Sequence, residues 1–157
     1  MTKKSILFLF LLYPVLIFSQ DKESDDTTSE LIKSFFLKKT DNYFKLDSLL
    51  YTQTNKKFQS KEKSINLLEL SLKNGYLIGQ IAIHNNLGLI LRQEYNFELA
   101  IKHHKKALDL SQKNNLHEIE AFTLNLLGAC YRRNDDVRNA LNSHQAALSI
   151  SKRNNGK

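Results

Sequence analysis

The sequence predicts an all-α chain, an α-solenoid of antiparallel helix pairs with about three repeats, and three observations predict it. The first is a forty-residue period that runs without a gap. Residues 82–117 laid on 122–157 pair Asn85 with Asn125, Leu87 with Leu127, Gly88 with Gly128, Arg92 with Arg132, Ala100 with Ala140, His104 with His144 and Ala107 with Ala147. A fixed period of roughly 20 to 50 residues marks stacked supersecondary units, each of which needs a neighbour to bury its apolar face. The second observation is that apolar residues recur at helical spacing in both halves of the unit. The third is that glycine and alanine recur at matching places, where backbones can come close.

The elements follow in chain order. Lys3 and Lys4 precede an apolar run, Ile6 to Phe18, and then Ser19, Gln20 and acidic residues, which is the charged, apolar, small-residue order of a secretory signal. Thirteen helical residues rise about 1.5 Å each, to about 20 Å, and the hydrocarbon core of a bilayer is about 30 Å thick. Pro14 also interrupts the run, so the expectation for residues 1–19 is a signal peptide and not a stable membrane span. The chain is then expected to be secreted or periplasmic. Residues 20–29 hold Asp21, Glu23, Asp25 and Asp26 with no apolar side chain from 21 to 28, and are read as a flexible acidic leader.

Leu31, Ile32, Phe35 and Phe36 fall at helical spacings behind Ser29, a suitable N-cap, so residues 30–40 are read as a leading helix. A degenerate repeat is expected at 41–79. There Leu46, Leu49, Leu50 and Tyr51 keep an apolar face, and Leu68, Leu70, Ser71 and Asn74 match Leu108, Leu110, Ser111 and Asn114. Two clear repeats occupy 81–119 and 121–157. In their first halves Ile83, Leu87, Ile90 and Leu91 make a helical face that Thr123, Leu127, Cys130 and Tyr131 repeat. Gly88 and Gly128 lie inside these helices, where glycine costs about 1 kcal/mol relative to alanine. Close approach of a second helix, through Ala100, Ala107, Ala140 and Ala147, is the expected compensation. Asn96 and Asp136 stand where an oxygen can cap the second helices. Asn74-Gly75, Asn114-Asn115 and Asn154-Asn155 close those helices with residues that tolerate the left-handed conformation.

Composition bounds the rest. With 157 residues, 41% of them hydrophobic, one Pro, five Gly and no Trp, the chain suits a helical domain of ordinary size. A single Cys permits no intrachain disulfide. The formal charge of +7 is interspersed with Asp and Glu and forms no long basic stripe, so nucleic acid is not an expected partner.

The unit resembles the tetratricopeptide repeat, in a form of about 40 residues in place of 34. The family's Leu-Gly pair falls on Leu87-Gly88 and Leu127-Gly128, its following aromatic on Tyr131 with Leu91 in the earlier copy, and its small residues on Ala100, Ala140, Ala107 and Ala147. Its aromatic of the second helix is His104 and His144 here, and its terminal Pro is Gln112 and Lys152. The resemblance implies a right-handed superhelix whose first helices line a groove for a protein or peptide segment. It also implies a second use, because such repeats form the ligand-sensing front of bacterial signalling proteins, ahead of a kinase or DNA-binding part.

If the resemblance holds, Asn85, Leu89, Arg92 and Gln93, with Asn125, Ala129, Arg132 and Arg133 one period later, lie toward that groove. Asn offers a donor and an acceptor to an extended peptide, and Arg suits a carboxylate. The structural alternative is that the arginines sit near helix C-termini and offset the macrodipole. His104 and His144 fall on a buried family position and suit packing with a hydrogen bond better than a metal, and no cofactor is expected. The sequence holds no Gly-rich phosphate loop, no His-Glu-x-x-His and no Gly-x-Ser-x-Gly, so the expected function is not catalytic. The sequence reaches Lys157 directly after a second helix, where a polar capping helix is usual, so the expectation is a longer array or self-association through the last hairpin.

Overall fold

The computed structural model describes residues 34–39, 41–54 and 60–155. The predicted signal peptide, the acidic leader and the start of the leading helix lie outside the described residues. A short helical stretch at 34–38 is followed by α1 (Tyr43–Thr54), α2 (Ser60–Lys73), α3 (Leu77–Gln93), α4 (Phe97–Lys113), α5 (His117–Arg133) and α6 (Val137–Asn155). Among the described residues there are helices and turns but no strand. Each helix from α3 on is joined to its neighbour by a three-residue turn, which leaves consecutive helices antiparallel. The closest packing is α5 on α6 and α3 on α4, with α4 on α5 and α2 on α3 linking the pairs and α1 lying against α3.

The turns have a rhythm of their own. Gly75, Tyr95, Asn115 and Asp135 all have left-handed backbones, with φ of 59°, 60°, 55° and 57°, and they are spaced by half a repeat. At each, the amide one residue later reaches back five residues: Tyr76 to the Ser71 carbonyl, Asn96 to Leu91, Leu116 to Ser111 and Asp136 to Tyr131, at 2.8, 2.8, 3.0 and 2.9 Å. This satisfies carbonyls that a helix end leaves without partners. The left-handed residues expected at Gly75 and Asn115 are present. The turns inside the repeats use the same device at Tyr95 and Asp135, where the sequence signalled only N-caps. Those caps are made: Asn96 Oδ1 accepts from the Leu99 amide at 3.4 Å, and Asp136 Oδ1 from the Asn139 amide at 3.1 Å.

Helix α3 is the axis of the molecule. From Ile81 to Leu91 every residue except His84 is buried, because α1, α2, α4 and α5 all pack on it. A helix that is apolar nearly all round belongs in such a place. Its Ile78, Ile81, Ala82, Ile83, Leu87 and Ile90 join Phe35, Phe36, Tyr43, Leu46 and Leu50 on one side and Ala107 and Ile119 on the other in a single core. Leu91, Ala100, Ile101, Leu127 and Cys130 make a second cluster, and Ala121, Leu124, Ala147 and Ile150 a third. Ala140 is buried on α6, and Tyr131 is partly buried against the second cluster.

The two mid-helix glycines have a different cause from the expected contact with alanines. A Cβ on Gly88 would stand 2.5 Å from Cε1 and Nε2 of His104, and one on Gly128 would stand 2.6 Å from Nε2 of His144. The imidazole of the facing helix fills the space that a side chain would take.

Candidate functional site

Successive first helices place equivalent residues side by side. The last turns of α3 and α5 therefore bring Arg92 and Gln93 near Arg132 and Arg133, one period apart. With Ala129, Tyr95 and Phe97 they line a cavity of about 450 Å³. Five of the eight groove residues expected from the sequence meet here: Arg92, Gln93, Ala129, Arg132 and Arg133.

Three guanidiniums can converge for two reasons. Each sits near a helix C-terminus, where the macrodipole supplies about half a negative charge. Two of the nearby carboxylates, Glu94 and Asp136, are also engaged elsewhere. Glu94 accepts from Lys61 of α2 at 2.8 Å, a half-exposed pair, and Asp136 is held by Asn139, whose hydrogen bonds lower its carboxyl below the ordinary range. No carboxylate is among the residues lining the cavity. Its other wall is aromatic: Tyr95 and Phe97 meet edge to face, with centroids 6.2 Å apart. Tyr95 is 80% exposed although its backbone is left-handed, a conformation that costs an ordinary residue roughly 1 kcal/mol or more. Neither aromatic is among the groove residues expected from the sequence. The signal was present in Tyr95-Asn96-Phe97, which puts one large ring in the turn and a second on the first residue of the helix that follows.

Asn85, Leu89 and Asn125 correct the expected site. Asn85 is fully buried: its Nδ2 donates to the Tyr43 hydroxyl at 2.7 Å and to Thr123 Oγ1 at 2.9 Å, and its Oδ1 accepts from His104 Nδ1 at 3.0 Å. One amide thus ties α3 to α1, α4 and α5, and none of it faces a groove. The Tyr43 hydroxyl also bonds Asp47, whose carboxyl burial pushes up to about 6. Leu89 is buried because α3 is covered on that side too. Asn125 is exposed but outside the cavity, paired with His144 at 3.1 Å.

Burial holds His104 neutral, its pKa lowered to about 3 with help from Arg92 and His103. Since its Nδ1–H serves Asn85, its Nε2 carries a lone pair, which faces Gly88 and has no hydrogen-bond partner among the described residues. Burial raises the pKa of Cys130, against a smaller opposing effect of Arg92, so the thiol is a packing group. Among the described residues no three His, Cys, Asp or Glu side chains cluster to hold a metal, and no helix is long and apolar enough to cross a membrane.

Arginines converging from equivalent turns of successive helix pairs are a consequence of repetition, and the repeat can be compared with known families. A family model described as tetratricopeptide repeat matches residues 79–153. That stretch is similar to the tetratricopeptide repeat, and the described residues around it are helical as such repeats are. Among curated proteins none matches the chain. Tetratricopeptide repeats generally mediate protein–protein interactions and are typically not catalytic. The matched segment runs from within α3 into α6 and contains every residue of the arginine cavity.

Proposed function

We propose that this chain is a non-catalytic scaffold of the tetratricopeptide-repeat type that seats an acidic peptide segment at the ends of α3 and α5. The observation that carries the reading is the convergence of Arg92, Arg132 and Arg133 in one cavity walled by Tyr95 and Phe97, with no lining carboxylate. Arginine binds carboxylates through two parallel N–H bonds, and an exposed aromatic beside it accepts an apolar side chain. The ligand this suits is an extended segment in which an acidic residue lies next to an aromatic or aliphatic one. The residue order of 1–19 supports a place of work outside the cytoplasm, as part of the same proposal.

A fluorescein-labelled Glu-Phe-Glu-Phe-Glu peptide tests the site by anisotropy, with Lys-Phe-Lys-Phe-Lys as the control. The acidic peptide is expected to bind saturably and to weaken at least about tenfold when Arg132→Ala and Arg133→Ala are combined, with helicity by circular dichroism unchanged. Equal binding of the two peptides, or unchanged affinity in the double variant, contradicts the assignment. Fractionation of cells expressing the full chain, with the same chain lacking residues 1–19 as control, tests the location. Retention of the full chain in the cytoplasm contradicts that part alone.

A further inference from the structure

About eight residues before Arg92 along α3, or about 12 Å of helix, a second cavity of about 670 Å³ opens beside α4. It is lined by His84 of α3 and, from α4, by Lys102, His103, Lys105, Lys106 and Asp109. We propose that this cavity is a binding site for a tetrahedral dianion, a phosphate group, held by the ammonium groups of Lys102 and Lys106 and by the paired imidazoles of His84 and His103. The site is separate from the arginine cavity and does not depend on its reading.

Charge is the first reason. The cavity has three ammonium groups and one carboxylate, and Asp109 is engaged by Lys113 at 3.0 Å. Lys105 leans over the Tyr131 ring at 5.8 Å, while Lys102 and Lys106 have no carboxylate partner among the described residues. They stand one turn apart on α4, on either side of His103, and a lysine pair so placed acts on phosphate as two point charges.

The imidazole pair is the second reason. His84 Nδ1 lies 3.1 Å from His103 Nδ1, with ring centroids 5.3 Å apart. At that distance one Nδ1–H donates to the other Nδ1. The accepting ring keeps its proton on Nε2, and the donating ring has a lone pair there. Protonation of that one free Nε2 leaves the Nδ1 bond intact and turns both outward nitrogens into donors.

Lys102, Lys105, Lys106 and Asp109 of α4 share the cavity with the pair, Lys61 of α2 adds its charge to that of Lys102 and Lys106, and Glu94 at the end of α3 is tied to Lys61. Burial foremost, then the neighbouring positive charge, holds both rings neutral, His84 down to about 4 and His103 lowered. A dianion reverses the sign of that field. Its binding therefore takes up one proton onto the pair, and the site tightens as pH falls.

Sulfate is the clean probe, because it keeps its double charge over the range in which phosphate titrates. Histidine ring NMR of the full chain is followed as sodium sulfate replaces sodium chloride at constant ionic strength, at pH 7.5 and pH 5.5. The expected result is a saturable shift of the His84 and His103 rings, about tenfold tighter at pH 5.5, with His117 and His144 unmoved. Lys102→Gln with Lys106→Gln, both exposed positions, should weaken it at least tenfold, whereas Arg132→Ala with Arg133→Ala should not. Shifts common to all the rings, equal affinity at the two pH values, or equal affinity in the lysine variant overturn the proposal. Inorganic phosphate and a phosphoserine tetrapeptide then separate the sources. Tighter binding of the peptide supports a phosphorylated chain and the reverse supports the free ion, while failure of both to bind overturns the site.

Discussion

The imidazole of His104 occupies the space that a side chain on Gly88 would need, with Cε1 and Nε2 each 2.5 Å from where a Cβ would stand. The same relation joins His144 to Gly128. What differs is the surroundings. His104 is fully buried and pinned by Asn85, whereas His144 is exposed because no helix among the described residues covers α6 as α5 covers α4.

Two identical substitutions should therefore have opposite results. Gly88→Ala forces a pinned ring to move inside a packed core and is expected to cost about 1–3 kcal/mol. Gly128→Ala meets a ring that can swing into solvent, so helix propensity decides, and stability should be equal to the parent or higher by up to about 1 kcal/mol. Urea midpoints of the two variants at one protein concentration check this.

The asparagines should separate in the same way. Asn85→Ala leaves the Tyr43 hydroxyl, Thr123 Oγ1 and His104 Nδ1 without their shared partner in the core, which is expected to cost about 2–4 kcal/mol. Asn125→Ala loses one exposed contact and should cost no more than about 0.5 kcal/mol. Thermal melts of both variants beside the parent give the comparison.

Acid should destabilise the fold well above the carboxylate range. His84 and His104 have folded pKa values of about 4 and about 3, below their ordinary 6.5, so the unfolded chain binds more protons than the folded one below pH 6.5. Their contribution is complete above pH 6.5 and is lost as pH falls toward the folded values. Asp47 acts in the opposite sense: its folded pKa of about 6 against 3.8 means that acid relieves an unfavourable charge. Two histidines outweigh one aspartate, and stability at pH 5 is expected to be lower than at pH 7.5 by roughly 2 kcal/mol. Urea denaturation at the two pH values measures it, and His84→Gln should make the difference smaller.

Tyr95 should show a trade between stability and binding. Tyr95→Gly relieves the left-handed backbone and loses little burial, so stability should hold or rise by up to about 0.5 kcal/mol. The acidic peptide should bind several-fold more weakly, because half of the aromatic wall is gone. Paired melting and anisotropy measurements on this one variant read both effects.

Much of the fold was legible in the sequence, because a forty-residue period with helical spacing in each half admits few other architectures. The half-period of the turns was harder to see, since α3 is covered on all sides and α4 on one face, so that successive helices share no apolar pattern. Arg92, Arg132 and Arg133 could be found because equivalent turns of stacked pairs stand side by side. Asn85 could not be separated from Asn125, because the two look alike in sequence and only Thr123 and Tyr43, brought in from other repeats, make one of them internal. At Gly88 the sequence signals only a close approach of backbones, because a histidine in the facing helix is not visibly aimed at a glycine.

The most direct measurement is the Nε–H correlation spectrum of the arginine side chains during titration with the Glu-Phe-Glu-Phe-Glu peptide. Saturable shifts of Arg92, Arg132 and Arg133 together, with Arg138 and Arg153 unmoved, are predicted. Binding that leaves those three signals in place, or that moves all the arginines alike, contradicts an acidic segment seated between α3 and α5.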